Sequence, residues 1–539
     1  MKRSLIASLA TLSLFGMASC TQDNVLKEPD AKENPTPAPE PTPKETAQKG
    51  EDPYIWLEDV EGEKALEWVR SQNDRSLKHL QSNPVYKQLE QDALEVVNST
   101  DRIPYGSIRN GEVYNFWQDK TNVRGLWRKT SLESYATDTP EWETILDFDK
   151  LAADEGKNWV FKGANCYTAK GKADYKCIIT LSDGGKDAAI RREFDLASKT
   201  FVEGGFELPE AKAGTVWVDY DTLLVGTDWG SDGSTLTDSG YPSVVKRWKR
   251  GTPLSEAETL HTGDKTDVGV WPFALEKDDG TRIEGAVEAD TFFTSKYFIF
   301  PKDGTEAVQL PIPEKSTPVG LFQGYLFMTL EQDWTIKTDG SDATFKTGSL
   351  LAMPFPEDGN VTDTILPEVV FEPNDRQAIE SVSMTQGKIL VTLNDNVTGK
   401  VLAITKGESG WNTNELDLPA NGTLSVSFAD QEEDTVFINY EGFLTPDSLM
   451  SYSASTGEIK TLKSLPSWFE ADDLVVGEDT ALFQEIAVRI QAFHGLAQGA
   501  ADGRYVGQFL GRQIVEILVH GVAGVDLVLD TVQAGHQHG

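Results

Sequence analysis

Positive charge is what this sequence has little of. Its 539 residues hold 49 Lys and Arg against 86 Asp and Glu, a formal net charge of −37. A chain this acidic repels nucleic acid and stays in solution. Histidine is also scarce: of six, His494, His520, His536 and His538 lie close to the C-terminal end. The apolar run from Leu5 to Phe15 is too short to span a bilayer comfortably. No G-x-S-x-G occurs anywhere, so a nucleophilic serine exposed on a sharp strand-to-helix turn has no candidate. The nearest spellings, Gly230-Ser231-Asp232-Gly233 and Gly407-Glu408-Ser409-Gly410, have the wrong spacing and fall in hairpin loops. With no such serine, His494 and His520 have nothing to serve as base. Glu432-Glu433-Asp434 and Asp472-Asp473 lack the alternating oxygen spacing of a calcium loop and read as solvated turns. His536-Gln537-His538 offers two ligands without a third nearby. No catalytic residue, no metal ligand and no cofactor is assigned.

What is present begins with a leader. Lys2 and Arg3 precede the apolar run, and Met17-Ala18-Ser19-Cys20 follows it, the pattern of a bacterial lipoprotein signal over residues 1–20. Cys20 is then the lipid attachment site, and the product is an exported periplasmic or outer-membrane lipoprotein held to a membrane by its N-terminus. The alternative is an ordinary secretory peptide cleaved near Ser19. Residues 21–50 (NPTPAPEPTPKE within them) are polar and Pro-punctuated, bury little, and form a disordered tether.

Residues 51–100 read as a helical arm. Ala65, Leu66, Trp68, Val69, Leu77 and Leu80 recur near helical spacing, and Asn83-Pro84 breaks the pattern before a second helix from Val85 to Val97. From 101 to 476 short apolar and aromatic runs alternate with turn clusters. They include Val113–Trp117, Leu126–Lys129, Trp159–Phe161, Lys176–Thr180, Thr215–Val218, Phe292–Phe300, Gly324–Leu330, Gly348–Met353, Lys388–Leu393, Lys400–Ile404, Thr435–Tyr440 and Ser448–Tyr452. So long an even series of strands fits a β-propeller better than a sandwich, although no WD or kelch signature sets the blade number. Thr222–Gly226, the polar loop Gly230–Gly240 and Ser243–Lys249 form one hairpin. In its basic run, alternation sets Lys246, Trp248 and Arg250 on one side of a strand, as local charge balance at a blade edge. A turn at Gly171-Lys172 makes residues whose numbers sum to 343 face each other, so Cys166 and Cys177 are a candidate cross-strand disulfide. Two packed thiols are the alternative.

Within Asp221–Glu256 the wording TDWG, SGYP and VKRWKRGTPL resembles the propeller half of prolyl-oligopeptidase-like serine peptidases. DPYIWLEDVEGEKALEWVRSQN (Asp52–Asn73), CIITLSDGGKDAAIRREFDL (Cys177–Leu196) and LKSLPSWFEADDLVV (Leu462–Val476) agree with it. The resemblance implies a mainly β fold, a seven-bladed β-propeller behind an N-terminal helical arm that packs on a hydrolase domain. It also implies short proline-containing peptides as partners, cleaved after proline by the hydrolase while the propeller gates access.

The resemblance stops at Val476. Residues 477–539 contain no Lys and no Trp, and no hydrolase text begins there. The expectation is a substrate-gating propeller without its Ser-Asp-His domain, inactive alone, with a short tail in the hydrolase's place. Translation of a wrong frame would produce such a tail; a genuine short C-terminal subdomain is the alternative. The alternative function is a surface-tethered propeller that binds a peptide or protein partner. Oligomeric state is not assigned.

Overall fold

In the computed structural model the described residues are 52–467, apart from Ser231, 302–305, 338–339, 357–360 and 362–364, together with Ala471, Leu474 and Val476. Cys20, the tether, Asp472-Asp473 and the tail from 477 lie outside them. The described chain divides into two units, one reaching Val97 and the other running from Asn98 to Leu474.

The first unit is helical. A single 3-10 turn, Ile55–Glu58, leads into α1 (Glu63–Gln81), and Ser82–Val85 separates it from α2 (Tyr86–Val97). The break falls where Pro84 removes a backbone donor and restricts Asn83. Trp56 and Trp68 meet edge to face at 6.3 Å, and Ala65 is buried. Val69, Leu77, Leu80, Leu89 and Leu94 remain exposed, so the apolar stripe of the arm is largely unburied within its own unit.

The second unit is a seven-bladed propeller. Each blade is a four-stranded antiparallel sheet of strands in chain order, starting at Ser107, Trp159, Gly214, Gly269, Ser316, Gln377 and Gly422 for blades 1 to 7. Blade 2 carries an extra strand, Glu207–Ala211, beside its third. Blade 5 carries a small hairpin, Trp334–Ile336 with Ala343–Phe345, between its second and third. The first strands of successive blades from 2 to 7 touch one another, as the channel-lining strands of a propeller do.

Seven apolar clusters separate the blades, one for each interface. Their basis is the pleat. On the second strand of blade 3, Leu223 and Val225 face blade 2 while Leu224 faces blade 4. In blade 6, Ile389, Val391 and Leu393 face blade 5 while Leu390 faces blade 7. A strand apolar on both faces reads as an unbroken apolar run rather than an alternating one.

The ring closes without a shared strand: blade 1 is built entirely from 107–147 and blade 7 from 422–464. Side chains close it instead. Ile108, Val113, Tyr135, Phe437 and Leu449 form one cluster across the seam, with the Tyr135 and Phe437 rings 5.5 Å apart. The Tyr105 hydroxyl donates to Asn439 Oδ1 at 2.7 Å, and Lys463 Nζ donates to the carbonyl of Thr137.

Two sequence expectations need adjustment. The run Phe292–Phe300 is a strand only over Lys296–Ile299; Phe292 and Phe293 lie in the preceding turn, 87% and 79% exposed. The Cys166 hairpin has the expected register, with Cys166 opposite Cys177. Its tip, however, is the eight-residue connection Thr168–Tyr175, in which Lys172 N–H donates to Ala169 O at 2.9 Å. The two sulfurs are bonded, with Cα atoms 3.9 Å apart.

Candidate functional site: the two ends of the channel

Blade topology sorts the turns. Because all strands alternate in direction, the turns between first and second strands collect at one end of the channel. Turns between second and third strands, and the links to the next blade, collect at the other. The two ends differ in chemistry.

At the first end the seven inner turns are knitted together. The connection Ala429–Asp434 of blade 7 reaches three other blades. Gln431 Nε2 donates to Leu321 O of blade 5 at 3.0 Å. The Glu433 carbonyl accepts from Thr385 Oγ1 at 2.7 Å and from Gln386 N–H at 3.2 Å in blade 6. Glu433 Oε1 accepts from Asn110 N–H of blade 1 at 3.1 Å. From blade 2, Lys170 Nζ donates to Asp278 O of blade 4, and Asp278 Oδ1 accepts from Gln323 N–H of blade 5 at 3.1 Å. Gly280, at φ +82°, lets Lys170 lie close, since a Cβ there would stand 2.7 Å from Lys170 Cβ. Tyr220 of blade 3 ties in the tip of blade 2, accepting from Ala169 N–H at 3.0 Å and donating to Asp174 Oδ1 at 2.9 Å.

Charges concentrate here too. Burial, and after it Glu276 of blade 4, pushes the Glu432 carboxyl above the usual carboxylate range. Burial pushes Glu433 up as well, while the Asn110 N–H pulls it back. Burial lowers Arg109, against the pull of Tyr114, Tyr175 and Asp430. Glu432 is an exposed turn residue, as read from sequence, whereas the partly buried Glu433 ties blade 7 to blades 1 and 6.

The opposite end is partly apolar. Val123, Phe292, Phe293, Val397 and Phe443 are all exposed, and all lie in turns between second and third strands. Between blades 5 and 6 a cavity of about 1100 Å³ opens at this end. Its lining includes Glu331, Glu372, Asp375 and Glu380, with Lys346 as the lining cation, and Lys346 is paired to Asp333 at 3.0 Å. Such a lining favours cationic groups of a ligand. The long loop between the second and third strands of blade 3 also lies here. Thr235 Oγ1 donates to Asp228 Oδ1 and accepts from Trp229 N–H, and Trp229 Nε1 donates to Val244 O.

The basic run that leaves this loop balances its charge partly within blade 3, as expected, and partly across to its neighbours. Lys246 lies over the Trp229 ring at 4.7 Å. Arg247 pairs with Glu284 of blade 4 and with Glu258 of its own blade, each at 2.7 Å. Arg250 holds Glu193 of blade 2 through two bonds, 2.8 and 2.9 Å. Alternation places these side chains as expected; their partners are Glu258, Asp221 and Trp229 of blade 3 as well as Glu284 and Glu193 of the neighbouring blades.

A histidine–carboxylate contact occurs between blades 3 and 4, where His261 Nε2 lies 2.9 Å from Glu288 Oε2 and Lys296 Nζ 3.1 Å from Glu288 Oε1. The ring packs on Phe298 at 4.2 Å, which makes it an interblade tie. Among the described residues no group of three or more His, Cys, Asp and Glu is placed to hold a metal ion. Gly407-Glu408-Ser409-Gly410 is the turn between the third and fourth strands of blade 6. His494, His520, His536 and His538 lie outside the described residues.

Seven radial sheets around a channel define a β-propeller. The family model of the prolyl oligopeptidase N-terminal β-propeller domain matches residues 29–465, and the chain belongs to that family. An uncharacterized peptidase of Sinorhizobium fredii is 36% identical over 436 residues, covering 80% of this chain and 59% of its own. An uncharacterized peptidase of Rickettsia prowazekii is 28% identical over 441 residues, covering 79% and 59%. Among solved structures, a post-proline cleaving enzyme from Rickettsia typhi superposes with a TM-score of 0.71 at 28% identity, covering 79% of this chain and 62% of that one. The chain thus spans under two thirds of the length of each of these relatives.

Proposed function

We propose that the propeller is the substrate gate of a post-proline oligopeptidase, the part that admits short peptides to a hydrolase and turns folded proteins away. The observation that carries this reading is the difference between the two ends of the channel. One end is tied together by hydrogen bonds between four of the seven neighbouring pairs of inner turns and by two more that skip a blade. The other presents exposed Phe292, Phe293 and Phe443 beside an acid-lined cavity, a surface suited to a second body and to a peptide. The gate carries no nucleophile: acyl transfer needs a serine on a tight turn, a base and an oxyanion hole, and the 539 residues contain no G-x-S-x-G.

The test is an assay of the purified chain with a chromogenic prolyl peptide. The expected result is no turnover. Turnover that stops on treatment with a serine-directed inhibitor would contradict the assignment of gate without nucleophile.

A further inference from the structure

Arg191, near the start of the third strand of blade 2 (Ala189–Asp195), holds a charge that nothing around it neutralises. The side chain is largely buried, and its hydrogen bonds go to backbone carbonyls, that of Ala213 and, at 3.5 Å, that of Ala189. Burial alone pushes its pKa down, to about 10. Arg192, Arg247, Arg250 and Arg282 each hold a carboxylate at 2.7 or 2.8 Å. Arg109 and Arg128 lack one but sit over aromatic rings, Arg109 over Tyr114 at 5.1 Å and Arg128 over Trp142 at 4.1 Å. Arg191 has neither kind of neighbour among the described contacts. In a chain of net charge −37, a part-buried cation without a carboxylate is uncommon; Arg124, whose Nη1 donates to Trp159 O at 3.0 Å, is another, and no unpartnered hydroxyl is seen beside it among the described residues.

A second polar group waits at the same place. Thr227 is 1% exposed and its hydroxyl has no hydrogen-bond partner. In blade 3, Gly214 opposes Gly226, and one further step of that register sets Ala213, whose carbonyl takes the Arg191 bond, opposite Thr227. Alternation puts Thr227 on the face of Leu223 and Val225, which packs against Ile178 and Leu208 of blade 2. Leu208 is the cross-strand partner of Arg191. Register and alternation therefore place Arg191 and Thr227 on the facing sides of one interblade interface, toward the end of the channel where the turns between second and third strands lie.

We propose that Arg191 and Thr227 form a carboxylate-binding subsite between blades 2 and 3. A carboxylate accepts two N–H bonds from a guanidinium fork and has lone pairs left for the Thr227 hydroxyl. One guanidinium matches its single charge, whereas a phosphate dianion would stay half compensated in an acidic surrounding. That the carboxylate is a peptide's rests on the gating role proposed above; that the site takes a carboxylate does not.

The test uses the full chain with its arginines labelled with nitrogen-15. The Arg191 Nε–H resonance is assigned by its loss in Arg191→Lys, then followed through titration with acetate, acetamide, sodium chloride and inorganic phosphate. Acetate should shift it saturably and acetamide should not, and Thr227→Val should weaken the acetate affinity about tenfold. No saturable acetate response, an equal response to chloride, or tighter binding of phosphate than of acetate would overturn the subsite. A short prolyl peptide, as free acid and as amide, then identifies the source. A shift by the acid alone places a peptide carboxylate there. A response to acetate but to neither peptide keeps the subsite and removes the peptide.

Discussion

Glu193 is 2% exposed and each of its oxygens has a donor. Arg250 binds both, and Phe206 N–H donates to Oε2 at 2.8 Å. Truncating Glu193 removes the charge-assisted bonds it accepts from Arg250 and leaves Arg250 with Asp221 as its carboxylate, so Glu193→Ala should lower stability by about 1.5–3 kcal/mol. Replacing both, as Glu193→Leu with Arg250→Met, should cost less than the single change, because the only carboxylate left without its partner is the exposed Asp221. Urea unfolding of the three proteins reads this, and a loss below about 1 kcal/mol for the single variant, typical of an exposed pair, would refute it. Only half of the pair was legible. The basic run and its sidedness are local, but Glu193 lies 57 residues from Arg250, and nothing in AIRREFDL distinguishes Glu193 from a surface acid. The same holds for Arg191, which stands beside Arg192 in that text and has a different fate.

Elements were legible in proportion to their burial. The strands read from sequence are mostly the second and third of their blades, such as Lys388–Asp395 and Thr398–Gly407, which pack apolar residues against both neighbours. Fourth strands such as Gly410–Glu415 and Ile459–Ser464 are largely exposed and polar and left no signal. Phe292 and Phe293 misled in the other direction, because aromatic residues raise strand propensity whether or not they are buried. Turns hold themselves by local bonds, and that of blade 1 gives a pH test. Asp119 is held down to about 2, chiefly by the Asn122 N–H, with Thr121 N–H and Trp117 Nε1 also donating. An acid whose folded pKa lies below its ordinary 3.8 adds stability that is present above pH 3.8 and is lost as pH falls through about 2. Carbon-13 titration of the Asp119 carboxyl should give a midpoint near the lower value. A midpoint near 3.8 would mean that the turn does not hold it.

For the molecule as a whole the seam between blades 1 and 7 matters most, since no strand crosses it and side chains close the ring. Phe437 is fully buried there against Tyr135. Phe437→Ala should cost about 3–5 kcal/mol. Amide exchange should then accelerate first on the strands facing the seam, Glu112–Trp117 and Thr435–Gly442. Uniform acceleration around all seven blades would show that the seam is no weaker than the other interfaces.

The sequence by itself determined that this is a strand-built body behind two helices, because apolar residues on both faces of a strand and a Pro at a helix break act within a few residues. It also carried, in TDWG, SGYP and VKRWKRGTPL, the wording of the family. Tertiary structure alone decided how the inner turns tie the blades together, which charges meet across blades, and that Arg191 and Thr227 share one interblade face. Those outcomes depend on radial packing that joins residues as distant as Tyr105 and Asn439, 334 positions apart. Local periodicity reports which face of a strand is buried, and it carries no information about what is buried against it.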